Sequence, residues 1–242
     1  MTVAQPTLLR NTGLSGRVCT APQVQESLSF LVKFHSCSAN TSAGIGILVA
    51  PDLVLTCQHV GSPRSKDYFC KSVIDTAAPS RRVIEIYEEG ESKAIPFSDF
   101  LAYFPNKPID GLQERLAIAR LSEPMANAGF PSMVDWVDGM TYTHTGVLGG
   151  QSGCVPSLLE GILVHPETWT SSLVCEWPGA AGVLTPVPGD SGGGLFEADS
   201  NFGRLMGVQH AICGYKDSPK IVSLHIPITR AKAWINAVLS AK

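Results

Sequence analysis

The sequence predicts an all-β protein made of two six-stranded antiparallel β-barrels, followed by one C-terminal helix. Short segments that alternate apolar and polar residues, or that are rich in bulky apolar residues, recur along the chain with turn signals between them. The 23 Gly and 17 Pro residues are dispersed, as expected of a chain with many turns. A length of 242 residues accommodates two such barrels.

The predicted strands are short and fall in both halves of the chain. In the first half they cover residues 27–36, 81–89 and 115–121, and residues 43–60 form two strands joined by a turn at Pro51 and Asp52. In the second half they cover residues 140–150, 161–166, 170–177 and 220–228, with a hairpin formed by 193–199 and 203–213.

The clearest helical pattern follows the last predicted strand. Thr229 is suited to cap this helix, and one face carries Trp234, Ile235, Val238 and Leu239. The least regular connection, residues 122–136, predicts a boundary between two β subdomains. The chain is therefore divided into an N-terminal segment (1–26), a first barrel (27–125), a second barrel (126–228) and the helix (229–242).

Composition excludes several classes of function. The net charge is −3 and no block of Lys or Arg stands out, so neither nucleic acid nor an anionic membrane is expected as a partner. The N-terminus lacks the basic start and apolar stretch of a secretory signal, which predicts a cytoplasmic protein. The seven Cys residues include no C-x-x-C pair, so we expect mostly reduced thiols and no metal site. No cofactor is predicted.

The segment TPVPGDSGGGLF, residues 185–196, concentrates Gly, Pro, Asp and Ser before apolar residues return. A Gly-rich turn with an incidental Ser is one interpretation. A reactive Ser191 on a strained backbone is another, in which the N–H groups of Gly189 and Ser191 form an oxyanion hole. The G-x-S-x-G pattern also occurs in α/β-hydrolases, but that fold requires a His after the Ser and a parallel sheet with crossover helices. Only 51 residues with one helix follow Ser191, so we reject it.

A base for Ser191 should then lie upstream, and His59 in VLTCQHV directly follows a strand that is predicted to be buried. The segments GIGILVAPDLVLTCQHV and PGDSGGG resemble the His and Ser motifs of the chymotrypsin/trypsin-like serine proteases, in the same chain order. The segments YTHTGVLGG, LMGVQHA and HIPITRAKAWI resemble later strands and the final helix of that family. The resemblance extends over residues 27–242.

The resemblance implies a chymotrypsin-like fold and a serine endopeptidase that cleaves a protein or peptide substrate through an acyl-enzyme. It makes Ser191 the nucleophile, His59 the general base and acid, and Gly189 with Ser191 the oxyanion donors. The regulatory partner is not identified by the sequence. A Cys that often follows the family's His is Val60 here, and another that often precedes its Ser is Val187, which agrees with a reducing compartment.

The third member of the triad departs from the family's pattern, because the segment ERLAIARL places Arg115 where the family has its Asp. Asp110 is the preferred substitute, since its side-chain type matches and Gly111 frees the loop. Glu114 is the alternative, one residue from the expected position, and Asp99 is a more distant one. A catalytically silent, protease-fold binding module is the alternative function that Arg115 favours.

Specificity and activation are also implied by the resemblance. Thr185 would lie at the base of the primary pocket, and His210, Ala211 and Ile212 along the substrate. Thr185 supplies no charge for an Arg or Lys side chain, so we expect cleavage after small or medium uncharged residues. A role for His210 in binding an acidic or amide side chain ranks second. Cleavage at Arg17-Val18 would free an amino group for Asp190, although an uncleaved surface Arg17 is favoured.

Overall fold

A computed structural model describes residues 28–36, 39–61, 67–75, 77–91, 93, 95–96, 114–126, 129–135, 141–148, 155–167, 172–177, 189–197, 202–214 and 221–241. The described chain is mostly β-structure with one long helix near its C-terminal end. Its strands form two sheets that follow one another in sequence.

The first sheet contains a closed six-stranded antiparallel barrel. Its strands are β1 (Leu31–Ser36), β2 (Ala39–Ala50), β3 (Leu53–Cys57), β4 (Tyr68–Ser72), β5 (Arg81–Glu88), β6 (Ile95–Pro96) and β7 (Leu116–Leu121). The pairing order is β4-β1-β2-β3-β7-β5-β6, and β4 also pairs with β5. This additional pairing closes the barrel, and β6 lies outside it as an extension of β5.

The second sheet contains the remaining strands. They are β8 (Ser132–Met133), β9 (Thr141–Leu148), β10 (Val155–Glu167), β11 (Ser172–Trp177), β12 (Gly194–Glu197), β13 (Arg204–Gly214) and β14 (Ile221–Pro227). Their order is β12-β9-β10-β11-β14-β13-β8, with an additional pairing between β12 and β13. The short strand β8 pairs parallel to β13, so the irregular connection after the first barrel joins the second sheet.

Buried apolar strands fill the first barrel and position the short helix that carries His59. All five residues of β3 are buried, as are five of the six residues of β7, with which it pairs. Phe34 stacks on Tyr68 across the interior, and the Tyr68 hydroxyl donates a 2.6 Å hydrogen bond to the Val60 carbonyl oxygen. This bond supports the short helix α1 (Gln58–Gly61), which follows β3 directly.

Aromatic contacts connect the barrel to the second sheet. Phe196 of β12 lies with its ring centroid 5.3 Å from that of Phe30, which precedes β1. Phe202 packs edge-on against Phe196 at 5.9 Å. Such ring pairs stabilise packing beyond the apolar area that they bury. The strand that follows the Ser191 segment is thereby held against the first half of the chain.

The terminal helix, α2 (Ile228–Ser240), differs from the prediction at its start. Pro227 is its N-cap residue and makes no side-chain capping bond, so Thr229 lies inside the helix and does not cap it. The first turn lacks a side-chain cap because the chain enters the helix directly from β14. The predicted apolar face is confirmed: Ile235 and Val238 are buried, and Trp234 and Leu239 are partly buried against the core.

Strand β4 was not predicted, and β10 begins six residues before its predicted start.

Cys57 and Cys70 are free thiols in the core. None of the described helices is long and apolar enough to span a membrane. The other five Cys residues lie outside the described side chains.

Candidate active site

The short helix α1 carries His59 at the end of the buried strand β3. Its neighbours Cys57 and Val60 are fully buried, and they anchor the segment in the barrel. The His59 side chain itself is 32% exposed, so one side of the imidazole is accessible to a substrate. The sequence therefore folds this His into a fixed position at the edge of the core.

Glu114 binds His59 twice through a single carboxylate oxygen. Its Oε1 accepts a 2.7 Å hydrogen bond from the His59 backbone N–H and lies 2.8 Å from Nδ1 of the same residue. The Glu114 side chain is only 3% exposed. Because a carboxylate only accepts, Nδ1 carries a proton, and in the neutral ring Nε2 presents a lone pair. This arrangement fixes both the orientation and the tautomer of the imidazole.

The segment around Arg115 explains why a carboxylate one residue earlier reaches His59. Antiparallel pairing of β3 with β7 places Leu116 opposite Cys57, and the Gln58 N–H donates a 2.8 Å hydrogen bond to the Arg115 carbonyl oxygen. With the backbone held in this way, Glu114 is buried and Arg115 is exposed. A Glu side chain is one methylene longer than Asp, which provides the additional reach to Nδ1.

The Ser191 loop has the backbone that its glycines predict. Gly189 has φ +102° and Gly192 φ +88°, both in the left-handed region that favours glycine. The Gly193 N–H donates a 2.9 Å hydrogen bond to the Asp190 carbonyl oxygen, which closes a tight turn, and Asp190 is fully buried. Ser191 is half-buried on this turn.

Hydrogen bonds anchor the same loop to both sheets. The Ser191 carbonyl oxygen accepts a 2.8 Å bond from the Ile45 N–H of β2. The Gly192 N–H donates to the Gln209 carbonyl oxygen, and the Gln209 N–H donates to the Gly193 carbonyl oxygen, each at 2.8 Å. The loop is therefore clamped between a strand of the first barrel and β13 of the second sheet.

Close backbone approach brings the His and Ser segments together. A Cβ on Gly44 would lie 2.5 Å from Val60 Cγ2 and 2.7 Å from the Ser191 carbonyl oxygen, so residues next to His59 and in the Ser loop meet at this glycine. A Cβ on Gly192 would lie within van der Waals overlap of the Ile45 carbonyl oxygen, which also accepts a 2.8 Å bond from the Thr56 hydroxyl. Only glycine permits this approach.

The structure records no hydrogen bond between the Ser191 hydroxyl and the His59 ring, both of which lie in its described part. In free enzymes a bond of this kind is often long and shortens only when substrate binds.

The electrostatic surroundings of His59 favour its charged form. Burial lowers the pKa of His59, but the Cys57 sulfur and the Glu114 carboxylate outweigh this effect and raise the pKa above its ordinary value of 6.5. Burial also raises the pKa of the Cys57 thiol, so this group is uncharged at neutral pH. The Glu114 carboxylate is therefore the charge that stabilises a protonated His59.

Cys57, His59 and Glu114 are also the group of side chains whose composition would suit a metal ion, with ligand atoms within 4.8 Å of one another. Two ligands of one tetrahedral zinc ion lie roughly 3.3 Å apart, given metal–ligand distances near 2 Å. The 2.8 Å between Nδ1 and Oε1 is shorter, and the Cys57 sulfur lies at similar distances, 3.6 and 3.9 Å, from both ring nitrogens. The arrangement fits a hydrogen-bonded His–carboxylate pair better than a metal centre.

His210 occupies a β-bulge in the strand predicted to line the substrate cleft. The pairing with β14 passes from Gln209 to Ala211 with an irregularity at His210, a feature that redirects a side chain. His210 is 5% exposed and interacts electrostatically with Glu114 and His59. Burial lowers its pKa to about 4, so the ring is neutral at physiological pH. Ala211 and Ile212, the next two residues, are half-buried.

The structure thus places Glu114 and His210 beside His59, and Gly44 lies between the His59 segment and the Ser191 loop. Asp110, Asp99, Thr185 and the Arg17-Val18 bond lie outside the described residues. No sequence pattern indicates the bulge at His210, since bulges depend on the pairing of two strands.

Comparison with known proteins identifies a similar fold but no matching family. No family model matches the chain, and no curated protein matches it. Among solved structures, a Glu endopeptidase in complex with MPD is similar, with a TM-score of 0.61 and 15% sequence identity, covering 95% of this chain and 98% of that one. The chain therefore has a chymotrypsin-like, protease-like fold.

Proposed function

We propose that this protein is a serine endopeptidase that acts through an acyl-enzyme on Ser191. Nε2 of His59 takes the hydroxyl proton as Ser191 Oγ attacks the peptide carbonyl carbon, and the N–H groups of Gly189 and Ser191 stabilise the oxyanion. His59 then gives the proton to the leaving amine as the C–N bond breaks. A water molecule then attacks the acyl-enzyme, with His59 again as the general base. The Ser191 ester bond breaks, and the acid product is released.

The observation that carries this proposal is the double hydrogen bond from His59 to the buried Glu114. A histidine that is merely structural needs no buried carboxylate on Nδ1, whereas a general base needs one to fix its tautomer and to stabilise the imidazolium that forms. We therefore assign to Glu114 the orienting role for which the sequence favoured Asp110.

The alternative function, a silent binding module, was motivated by Arg115 at the usual Asp position. Arg115 is exposed and contributes only its backbone carbonyl oxygen to the site, while Glu114 orients His59. The retained carboxylate favours the enzyme over the silent module.

We also infer that the second sheet closes as a barrel of six strands. The pairing of β12 with β13 supports this, because it joins the two ends of the order β12-β9-β10-β11-β14-β13. Two barrels with the Ser loop between them correspond to the architecture that the sequence predicts for residues 27–228.

Labelling with a fluorophosphonate probe tests the proposal. We expect the phosphorus to bond to Ser191 Oγ with loss of fluoride, and the Ser191→Ala variant to remain unlabelled. A wild-type protein that shows no Ser191-dependent labelling, even after cleavage at Arg17-Val18, would refute the enzyme and favour the binding module. His59→Ala serves as a second variant, since loss of the base should slow labelling while Ser191 remains.

A further inference from the structure

We propose that Arg230 of helix α2 and Glu89 are positioning residues that hold Glu114 against His59. For its effect on turnover this inference rests on the proposed function, but the geometry on which it depends is independent of catalysis. It assigns to the terminal helix a role at a site whose acid comes from the first barrel.

Arg230 and Glu89 form a bidentate ion pair. Arg230 Nε donates a 2.9 Å hydrogen bond to Glu89 Oε1, and Nη2 donates a 2.7 Å bond to Oε2. The two side chains are 31% and 15% exposed. Two parallel bonds between a guanidinium and a carboxylate fix direction as well as distance. The pair therefore acts as a rigid unit between the helix and the turn after β5.

This unit holds the backbone on both sides of Arg115. Glu89 Oε2 accepts a 2.8 Å bond from the Leu116 N–H, and the Glu89 N–H donates a 3.1 Å bond to the Leu116 carbonyl oxygen. Arg230 Nη2 donates a 3.1 Å bond to the Glu114 carbonyl oxygen. The carbonyl of the acid itself is thus tied to the helix.

Glu114 lies two residues before the start of β7, so the strand ladder does not hold its backbone. The β3–β7 ladder reaches only to Leu116, and beyond it the Gln58 N–H holds the Arg115 carbonyl oxygen. Arg230 adds the bond at Glu114, one residue further. Because a displacement of about 1 Å can reduce turnover by roughly 100-fold, this last bond has a direct consequence for catalysis.

The helix offers a matched control. Trp234 Nε1 donates a 2.9 Å bond to the Glu91 carbonyl oxygen, which docks the same helix on the same turn through a bond that does not involve Glu114. Trp234→Phe should loosen this docking while the Arg230 bonds remain. Arg204→Ala is a second control, because Arg204 forms an exposed ion pair with Glu197 at 2.9 Å in the second sheet.

The test is nitrogen-15 imidazole NMR of the full chain, with the His59 signal assigned by its absence in His59→Ala. In Arg230→Ala and in Glu89→Gln we expect the Nδ1–H signal of His59 to weaken or move upfield and the pKa of His59 to fall toward 6.5. We expect kcat to fall about 10- to 100-fold with KM changed less than about threefold. Arg230→Lys should recover part of the loss, since an ammonium can keep one of the bonds.

A His59 signal and pKa in Arg230→Ala that equal those of the wild type would overturn the proposal, as would an equal change in Trp234→Phe. If Arg230→Ala fails to fold, the same comparison with Glu89→Gln tests the proposal, because this substitution removes the charge of the Glu89 side chain and keeps its shape. A wild-type protein without Ser191 labelling would refute the proposed function alone, since the NMR comparison does not require turnover.

Discussion

The backbone carbonyl oxygen of Ser191 accepts a 2.8 Å hydrogen bond from the N–H of Ile45, which joins the loop of the proposed nucleophile to strand β2. Strand β2 pairs with β3, and β3 runs directly into the helix that carries His59. The Ser191 loop is therefore bonded to the strand that neighbours the one leading to His59. This bond and the β2–β3 ladder link the two segments, although Ser191 follows His59 by 132 positions in the sequence.

Replacing Gly192 by Ala should disrupt this junction. The new Cβ would overlap the Ile45 carbonyl oxygen, and a φ of +88° is unfavourable for Ala. We expect a loss of about 3–5 kcal/mol in the free energy of unfolding and a fall in kcat/KM of more than about 100-fold. Gly90→Ala is the control, since Gly90 has the same φ but open space around its Cβ position. It should lose only about 1–2 kcal/mol. Equal losses in a denaturant titration would show that the clash is unimportant.

Replacing Glu114 by Gln should reduce kcat by about 10²–10⁴-fold with a smaller effect on KM, because Gln keeps the shape of the side chain but lacks the charge that stabilises the imidazolium. Steady-state kinetics on a peptide substrate measures this. Asp110→Ala is the matched variant, and we expect it to change kcat less than about threefold. A larger loss for Asp110→Ala than for Glu114→Gln would return the orienting role to Asp110.

The rate should depend on pH in the direction set by His59. A general base must be neutral, so kcat/KM rises as the pH passes upward through the pKa of His59 in the free enzyme. Because that pKa is raised, the midpoint of the acidic limb should lie above 6.5. In Glu114→Gln the limb should move to lower pH, at a reduced plateau. A wild-type midpoint below 6.5 would contradict the electrostatic role of Glu114.

Arg115→Ala should alter kcat/KM by less than about threefold. The Arg115 side chain is exposed, and its contribution to the site is a backbone carbonyl oxygen that Ala retains. The comparison of initial rates with the wild type is sufficient. A gain of tenfold or more on removal of the cation would mean that Arg115 suppresses the activity, as the silent-module hypothesis requires.

Specificity should exclude Arg and Lys at the residue before the scissile bond. Thr185 offers no charge to such side chains, and burying an unpaired cation costs several kcal/mol. His210 is uncharged at neutral pH, so it also provides no positive charge for an acidic side chain. A peptide library varied at this residue should show cleavage after small or medium uncharged residues. Dominant cleavage after Arg or Lys would show that Thr185 does not line the primary pocket, and dominant cleavage after Glu would support the role of His210.

The sequence predicted a mostly β chain with a six-stranded antiparallel barrel and a glycine-dependent turn at Ser191, because both depend on local patterns, alternating apolar residues and glycines that permit positive φ. It left the acid open between Asp110 and Glu114, since the choice depends on how β7 is registered against β3. Neither the bulge at His210 nor the absence of a cap at Thr229 could be predicted from the sequence. The bulge depends on how β13 pairs with β14, and the cap is missing because β14 continues directly into the helix.

The bond from Arg230 to the Glu114 carbonyl oxygen has a consequence for biosynthesis. During translation His59 emerges first, then Glu114, then Ser191, and helix α2 emerges only after all three. A nascent chain that already contains His59 and Ser191 still lacks the contact that secures the acid. On the proposed function, we therefore expect the ribosome-bound chain to lack full activity until helix α2 has docked.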